Sequence, residues 1–266
     1  MAVEEREAVV QGRRASYGFR AGRGYPVLLV HGLHGSWRYW RPFMEALPPT
    51  YEVYAPDLPG YGRSEPMPSY QAWEQVGWLN AFCESVMFGS GAVVGHSIGG
   101  VIALGFLRQV PERVDRLVTV SAPVDDAGVL LPLRMLGWPF IGAPMFWAVR
   151  GGFASWLGWA RLTHGDPELI GMLHWAARAG SRAVRGTVIG WQELTPVERE
   201  ALFGPPLVPT LVLHGDQDRI VPPSHAERMA AALPGAQFAW LKGAGHMPVL
   251  QVAEKTATAV AEFLGR

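Results

Sequence analysis

A chain of 266 residues, 49% of them hydrophobic, is long enough to bury one large core and fits one domain with an insertion better than two independent domains. Its 23 basic and 23 acidic residues cancel, which removes the basic excess expected of a nucleic-acid-binding protein. Cys83 is the single cysteine, so an intrachain disulfide is excluded.

The N-terminal stretch Met1-Ala2-Val3-Glu4-Glu5-Arg6-Glu7 is charged and lacks the apolar centre of a signal peptide. No uninterrupted apolar run reaches the ~18 residues of a membrane span, so a cytoplasmic protein is expected. The cationic, Trp-rich stretch from Gly128 to Gln192 could favour an anionic substrate or touch a membrane surface, but a solvated helix face is the expectation. A first hairpin is predicted over Ala8–Tyr17. Val27–Val30 is an apolar β-type run that ends in the Gly-rich turn His31-Gly32-Leu33-His34-Gly35-Ser36. A helical stretch carrying Trp37, Trp40, Phe43 and Leu47 follows, then a strand over Tyr51–Ala55. Trp78–Met87 reads as a helix with Cys83 as core filler. Further strands are predicted over Ala92–Val94, Arg116–Val120, Thr210–Leu213 and Gln237–Leu241, with helices over Gly100–Leu107 and Val249–Leu264. Strands alternating with helices imply an α/β fold, with a mostly parallel sheet covered on both faces. Right-handed crossovers then bring the strand ends to one edge.

Chemistry concentrates at those strand ends. Gly95-His96-Ser97-Ile98-Gly99 lies between a strand and a helix, the context in which Gly-x-Ser-x-Gly forms a nucleophile elbow. The turn is sharp enough to strain the serine, and the flanking glycines leave it room. Acyl transfer also needs two backbone N–H groups aimed at the developing oxyanion. Ile98, directly after the serine, and Leu33, in the turn after Val30, are the candidates. The turn His214-Gly215-Asp216-Gln217-Asp218 and the turn Gly243-Ala244-Gly245-His246 complete an order of Ser97, an aspartate, then His246. In such an order the histidine relays the serine proton and the aspartate holds its tautomer.

These motifs, together with Asp57-Leu58-Pro59-Gly60-Tyr61-Gly62-Arg63-Ser64, resemble the α/β-hydrolases of the capped, epoxide-hydrolase-like and esterase-like branch. The resemblance runs from about residue 15 to the C-terminus and matches poorly in the middle. It implies an α/β-hydrolase core over 1–123 and 206–266 and a helical cap over 124–205. It also implies that Asp218 is the acid and Asp216 a turn residue. Some relatives place the acid after the preceding strand, where Asp125 and Asp126 sit. A serine at the elbow argues against the dehalogenase and epoxide-hydrolase chemistries, for which the resemblance implies an aspartate there.

The expected activity is that of a carboxylesterase cleaving small to medium apolar esters through an acyl-enzyme. Carbon–carbon bond hydrolases, lactonases and thioesterases share the fold; the first often have Asn before the serine, where this chain has His96. A low-turnover ligand receptor or scaffold is an alternative of another class. The presumptive cap is rich in tryptophan, and Trp138, Trp147 and Trp159, with His34, are the candidates for lining an apolar substrate pocket. His31 is expected to bond backbone, His96 to pack under the elbow, and His214 to be structural. His164, His174 and His225 have no partners at ligand spacing, so no metal is expected. No nucleotide, flavin or pyridoxal motif is visible, so no cofactor is expected. Oligomeric state is not legible in the sequence.

Overall fold

The structure, a computed structural model, describes residues 2–125, 129–163 and 167–265. Strands β1 (Glu4–Val10) and β2 (Arg13–Arg20) form the predicted hairpin, longer at both ends than expected. Its two-residue turn, Gln11 and Gly12, has φ of 49° and 74°, the twist that suits a tight hairpin. The remaining strands are β3 (Tyr25–Val30), β4 (Tyr51–Pro56), β5 (Gly91–His96), β6 (Val114–Val120), β7 (Thr210–Gly215) and β8 (Gln237–Leu241). They join one eight-stranded sheet in the order β1-β2-β4-β3-β5-β6-β7-β8. β2 runs antiparallel to both β1 and β4, and the pairings from β4 to β8 are parallel.

The helices are α1 (Arg41–Ala46), α2 (Ala72–Ser85), α3 (Ile98–Gln109), α4 (Leu131–Arg134), α5 (Gly142–Thr163), α6 (Pro167–Ala176), α7 (Ser181–Gln192), α8 (Pro196–Leu202), α9 (Ser224–Ala232), α10 (Pro248–Gln251) and α11 (Ala253–Leu264). Two expectations need correction. The stretch from Trp37 to Leu47 splits into a 3-10 turn, Trp37–Trp40, and α1. The single helix expected over Val249–Leu264 breaks at Val252, whose φ and ψ of −137° and 47° leave the helical region.

The unbroken apolar run of β3 is explained by its two covered faces. Leu28 and Val30 pack with α2 and α3 residues, including Val76, Leu79 and Leu104. Val27 and Leu29 pack on the other side with Phe43 of α1 and Val260 of α11. Such a strand has no polar face to present, so alternation is lost. The chain leaves β3 for β4 on one side and returns to β5 on the other. The switch point of the sheet therefore lies at the C-terminal ends of β3 and β5, where open α/β sheets place their crevices. Between β6 and β7 the described residues contain helices α4 to α8 and no strand. Among the described residues no helix is long and apolar enough to cross a membrane.

Candidate active site

Ser97 sits between β5 and α3 with φ 55° and ψ −130°, a conformation that a non-glycine residue adopts only under constraint. Its N–H donates to the Val120 carbonyl at 2.8 Å, which ties the strained residue to β6. A side chain at Gly95 would run into the Gly99 carbonyl, and one at Gly99 into the Val30 carbonyl, so the turn closes only with glycine at both places.

His246, from the loop after β8, lies with Nε2 3.1 Å from Ser97 Oγ and Nδ1 2.8 Å from Asp218 Oδ2. Asp218 follows β7 and is buried. Its Oδ1 accepts the N–H groups of Ile220 and Val221 at 2.8 and 2.9 Å. Burial alone would raise its pKa, but hydrogen bonds from His214 and His246 and from the Val221 N–H outweigh it. They hold the carboxyl well below the usual carboxylate range. An ionised carboxylate only accepts, so His246 Nδ1 carries the proton and its Nε2 lone pair faces the Ser97 hydroxyl.

The other aspartates are engaged elsewhere. Asp216 accepts the Gly243 N–H at 2.7 Å and lies 3.6 Å from Lys242 Nζ. Asp125 pairs with Arg228 at 2.6 Å, and Asp126 lies outside the described residues, as does His164.

Two supporting groups escape sequence reasoning. His214 Nε2 donates to the Val221 carbonyl at 3.0 Å and stands 3.4 Å from Asp218 Oδ2, so it braces the acid as well as ending a strand. Tyr39 joins three loops. Its hydroxyl oxygen accepts the Gly32 N–H at 2.6 Å and its O–H donates to His96 Nδ1 at 3.0 Å. His96 Nε2–H then donates to the His246 carbonyl at 2.7 Å. The carbonyl can only accept and Nδ1 must then accept, so every proton in this chain has one position. Burial, aided by the nearby His246, pushes the His96 pKa down to about 3, so the ring stays neutral. The separation of 57 residues between Tyr39 and His96 leaves no local signal by which to find the pair.

Gly32 spends its N–H on Tyr39, which leaves Leu33 as the next donor along that loop. Ile98 opens α3, where a backbone N–H has no intrahelical acceptor. Leu33, Ser97 and Ile98 share the lining of one cavity of about 70 Å³ with Leu133, Val188 and Trp191. Behind Ile98 and Trp191 lies a second, smaller apolar cavity of about 20 Å³, bounded by Trp73, Val76, Leu194 and Leu202.

Trp138, Trp147 and Trp159 are absent from the lining of the Ser97 cavity and are exposed. Trp191 of α7 lines it, with Val188 and Gln192 of the same helix. His34 is likewise absent from that lining. It is buried, with φ 56°, holds the Ala176 carbonyl through Nδ1 at 3.2 Å and stacks on Phe146. Burial pushes His34 and His31 each down to about 4, against the hydrogen bonds that they make to the carbonyls of Ala176 and Gly32. His31 bonds backbone on both sides, to the Gly32 carbonyl at 2.8 Å and from the Leu58 N–H at 2.9 Å. Among the described residues, no cluster of three or more His, Cys, Asp or Glu side chains is placed to hold a metal ion.

Comparison with known proteins places this arrangement in context. A profile of the alpha/beta hydrolase fold matches residues 25–140 and 153–252. An uncharacterized protein of Mycobacterium tuberculosis is 27% identical over 257 residues, covering 88% of this chain and 75% of that protein. The 2-hydroxymuconate semialdehyde hydrolase of Pseudomonas sp. strain CF600 is 26% identical over 275 residues, 97% of this chain and 93% of its own. A thermophilic esterase from Thermogutta terrifontis has the same fold, with a TM-score of 0.77 at 24% identity and 98% of each chain covered.

Proposed function

Because the chain belongs to the alpha/beta hydrolase fold family, a family of hydrolases, we propose that it is a carboxylesterase that uses Ser97, His246 and Asp218 on small to medium apolar esters. The observation that carries this reading is the in-line hydrogen-bonded set, Ser97 Oγ to His246 Nε2 at 3.1 Å and His246 Nδ1 to Asp218 at 2.8 Å, opening on an apolar cavity. The helical segment, 124–205, serves as a cap that supplies one wall of that cavity.

In this mechanism the Ser97 oxygen attacks the ester carbonyl carbon while its proton passes to His246 Nε2. The carbonyl electron pair moves to the oxygen, which accepts the N–H groups of Ile98 and Leu33. Asp218, kept ionised, stabilises the imidazolium. Collapse of the tetrahedral species breaks the bond to the alcohol oxygen, which leaves with the Nε2 proton. Water then gives a proton to His246, attacks the acyl-enzyme and releases the acid and Ser97.

A second reading, hydrolysis of a carbon–carbon bond, is favoured by the similarity to the Pseudomonas enzyme along nearly the whole chain. A panel of p-nitrophenyl esters of graded acyl length separates the two. Turnover that disappears in Ser97→Ala, with a fall of about 10⁴-fold or more and an unchanged thermal melt, is the expected result. A serine-directed phosphonate should label Ser97 in the wild type alone. Labelling without ester turnover would move the activity to the second reading, and a Ser97→Ala protein that still turned over esters would remove Ser97 from the mechanism.

A further inference from the structure

α5 runs for 22 residues and buries only one side of itself. Phe146 and Leu157 point inward, against His34 and Leu173 among others. The opposite half of the helix carries, in angular order around the axis, Trp147, Leu162, Trp159 and Trp156, with the small residues Gly151, Gly152, Ser155 and Gly158 between them. Trp147 is 60% exposed, Trp156 44%, Trp159 51% and Leu162 87%, and Phe140 just before the helix is 98% exposed. Scattered apolar side chains on a surface need no explanation, but three exposed tryptophans and a leucine on one half of a single helix mark a contact surface.

Charge identifies what the surface contacts. From Val129 to Thr163 the sequence has no Asp, Glu, Lys or His; of its arginines Arg134 lines the Ser97 cavity, and Arg150 stands on α5 itself. Arg150 lies over the Trp147 ring at 5.0 Å, at the border of the exposed half. A face of tryptophan and leucine edged by arginine, with no acid, matches the boundary of an anionic bilayer: indole rings settle at headgroup level and guanidinium groups meet lipid phosphate. A second copy of the same face would bring arginine to arginine with no carboxylate between them, so self-association is disfavoured. The helix does not have the apolar character to cross a membrane, so it lies in the interface plane.

We infer that the exposed face of α5, with Phe140, docks this protein onto the surface of a membrane containing anionic phospholipid. The inference stands apart from the catalytic reading, since it uses none of the residues at Ser97. In the sequence this segment offers membrane contact only as the lesser reading beside a solvated helix face.

The test is co-sedimentation of the full chain with two kinds of vesicle, phosphatidylcholine alone and phosphatidylcholine with an equal part of phosphatidylglycerol. The mixed vesicles should bind the protein and blue-shift its tryptophan emission. Added salt should weaken that binding. Trp147→Ser with Leu162→Ser should lower partitioning by about tenfold or more, since each removes a large exposed apolar group that docking would bury. Arg150→Gln should lower binding to the mixed vesicles alone. Met87→Ser, at an equally open site beyond the end of α2, should change nothing, and circular-dichroism melts should match throughout. Failure to bind either vesicle would overturn the inference. So would binding indifferent to the α5 substitutions, or sedimentation equilibrium showing that they dissociate a dimer.

Discussion

At the sheet edge, Ser97, His246 and Asp218 come from three loops, and each loop is tied to another by hydrogen bonds through Tyr39, His96 and His214. The helical segment is held differently. Tyr61 O–H donates to Thr187 at 3.2 Å, Gly180 N–H donates to Gly60 at 3.2 Å and Trp175 lies under Arg38, while α5 packs on α6 and α7 and turns tryptophans to solvent. Hydrogen bonds are directional, so the first region has one arrangement in which its protons and lone pairs are all matched. Apolar packing is graded by area and shape, so the second region can change its lining by degrees. Substitutions at the sheet edge should therefore act sharply and selectively, and those in the helical segment should tune.

The sharpest break is at the acid. Asp218→Asn should lower kcat by about 10⁴-fold, because an amide facing Nδ1 favours the wrong histidine tautomer. Asp216→Asn, two residues away, should cost little, since its carboxylate serves the Gly243 N–H. Steady-state kinetics on one ester decide this, and equal losses would mean that the two aspartates are not divided as proposed.

Buried histidines make the sheet edge sensitive to acid. Burial pushes His31 and His34 down to about 4 and His96 down to about 3 in the fold, against about 6.5 for an unfolded chain. Depressed folded values mean that their contribution is complete above about pH 6.5 and is lost as pH falls, when the unfolded chain takes up protons that the fold refuses. Asp57 acts in the opposite sense. Burial raises its carboxyl to about 6 despite hydrogen bonds from the Arg63 and Trp37 N–H groups, so the stability that it adds below about pH 4 is lost as pH rises through 6. Between about pH 6 and 4 the three histidines outweigh the one aspartate. Unfolding free energy should drop by roughly 2.7 kcal/mol per pH unit. Urea titrations at several pH values read this slope directly. His34→Gln should make it shallower by about 1.4 kcal/mol per unit. Stability independent of pH over that range would break the account.

The smallest effect belongs to the helical segment. Trp191 separates the Ser97 cavity from the apolar one behind it, so Trp191→Leu should move the preferred acyl length upward. Each further buried methylene should raise kcat/KM about threefold to fourfold until the joined space fills. Trp147→Leu should leave the chain-length profile alone. A profile that moved with Trp147 and not with Trp191 would reverse the assignment of the pocket wall.

Much of this molecule was legible in the chain alone. The parallel strands, the Ser97 elbow with its two glycines and the spacing to Asp218 and His246 are local: backbone strain, strand polarity and turn chemistry are written in a few adjacent residues each. Outside the hairpin, strand ends were placed within two residues, with β8 matching over its full length. The hairpin ran longer, and the break at Val252 was missed. What the tertiary structure alone decided depends on residues far apart in sequence. Tyr39 reaches His96 and His96 reaches the His246 backbone because the sheet brings β3, β5 and β8 loops to one edge. Tryptophan content marked the helical segment, but a helix presents each side chain to one of several faces. Only the way α5 and α7 pack determined that Trp191 turns toward Ser97 while Trp147 and Trp159 turn to solvent. Local rules act through neighbouring residues, whereas burial is settled by whatever the fold lays across them.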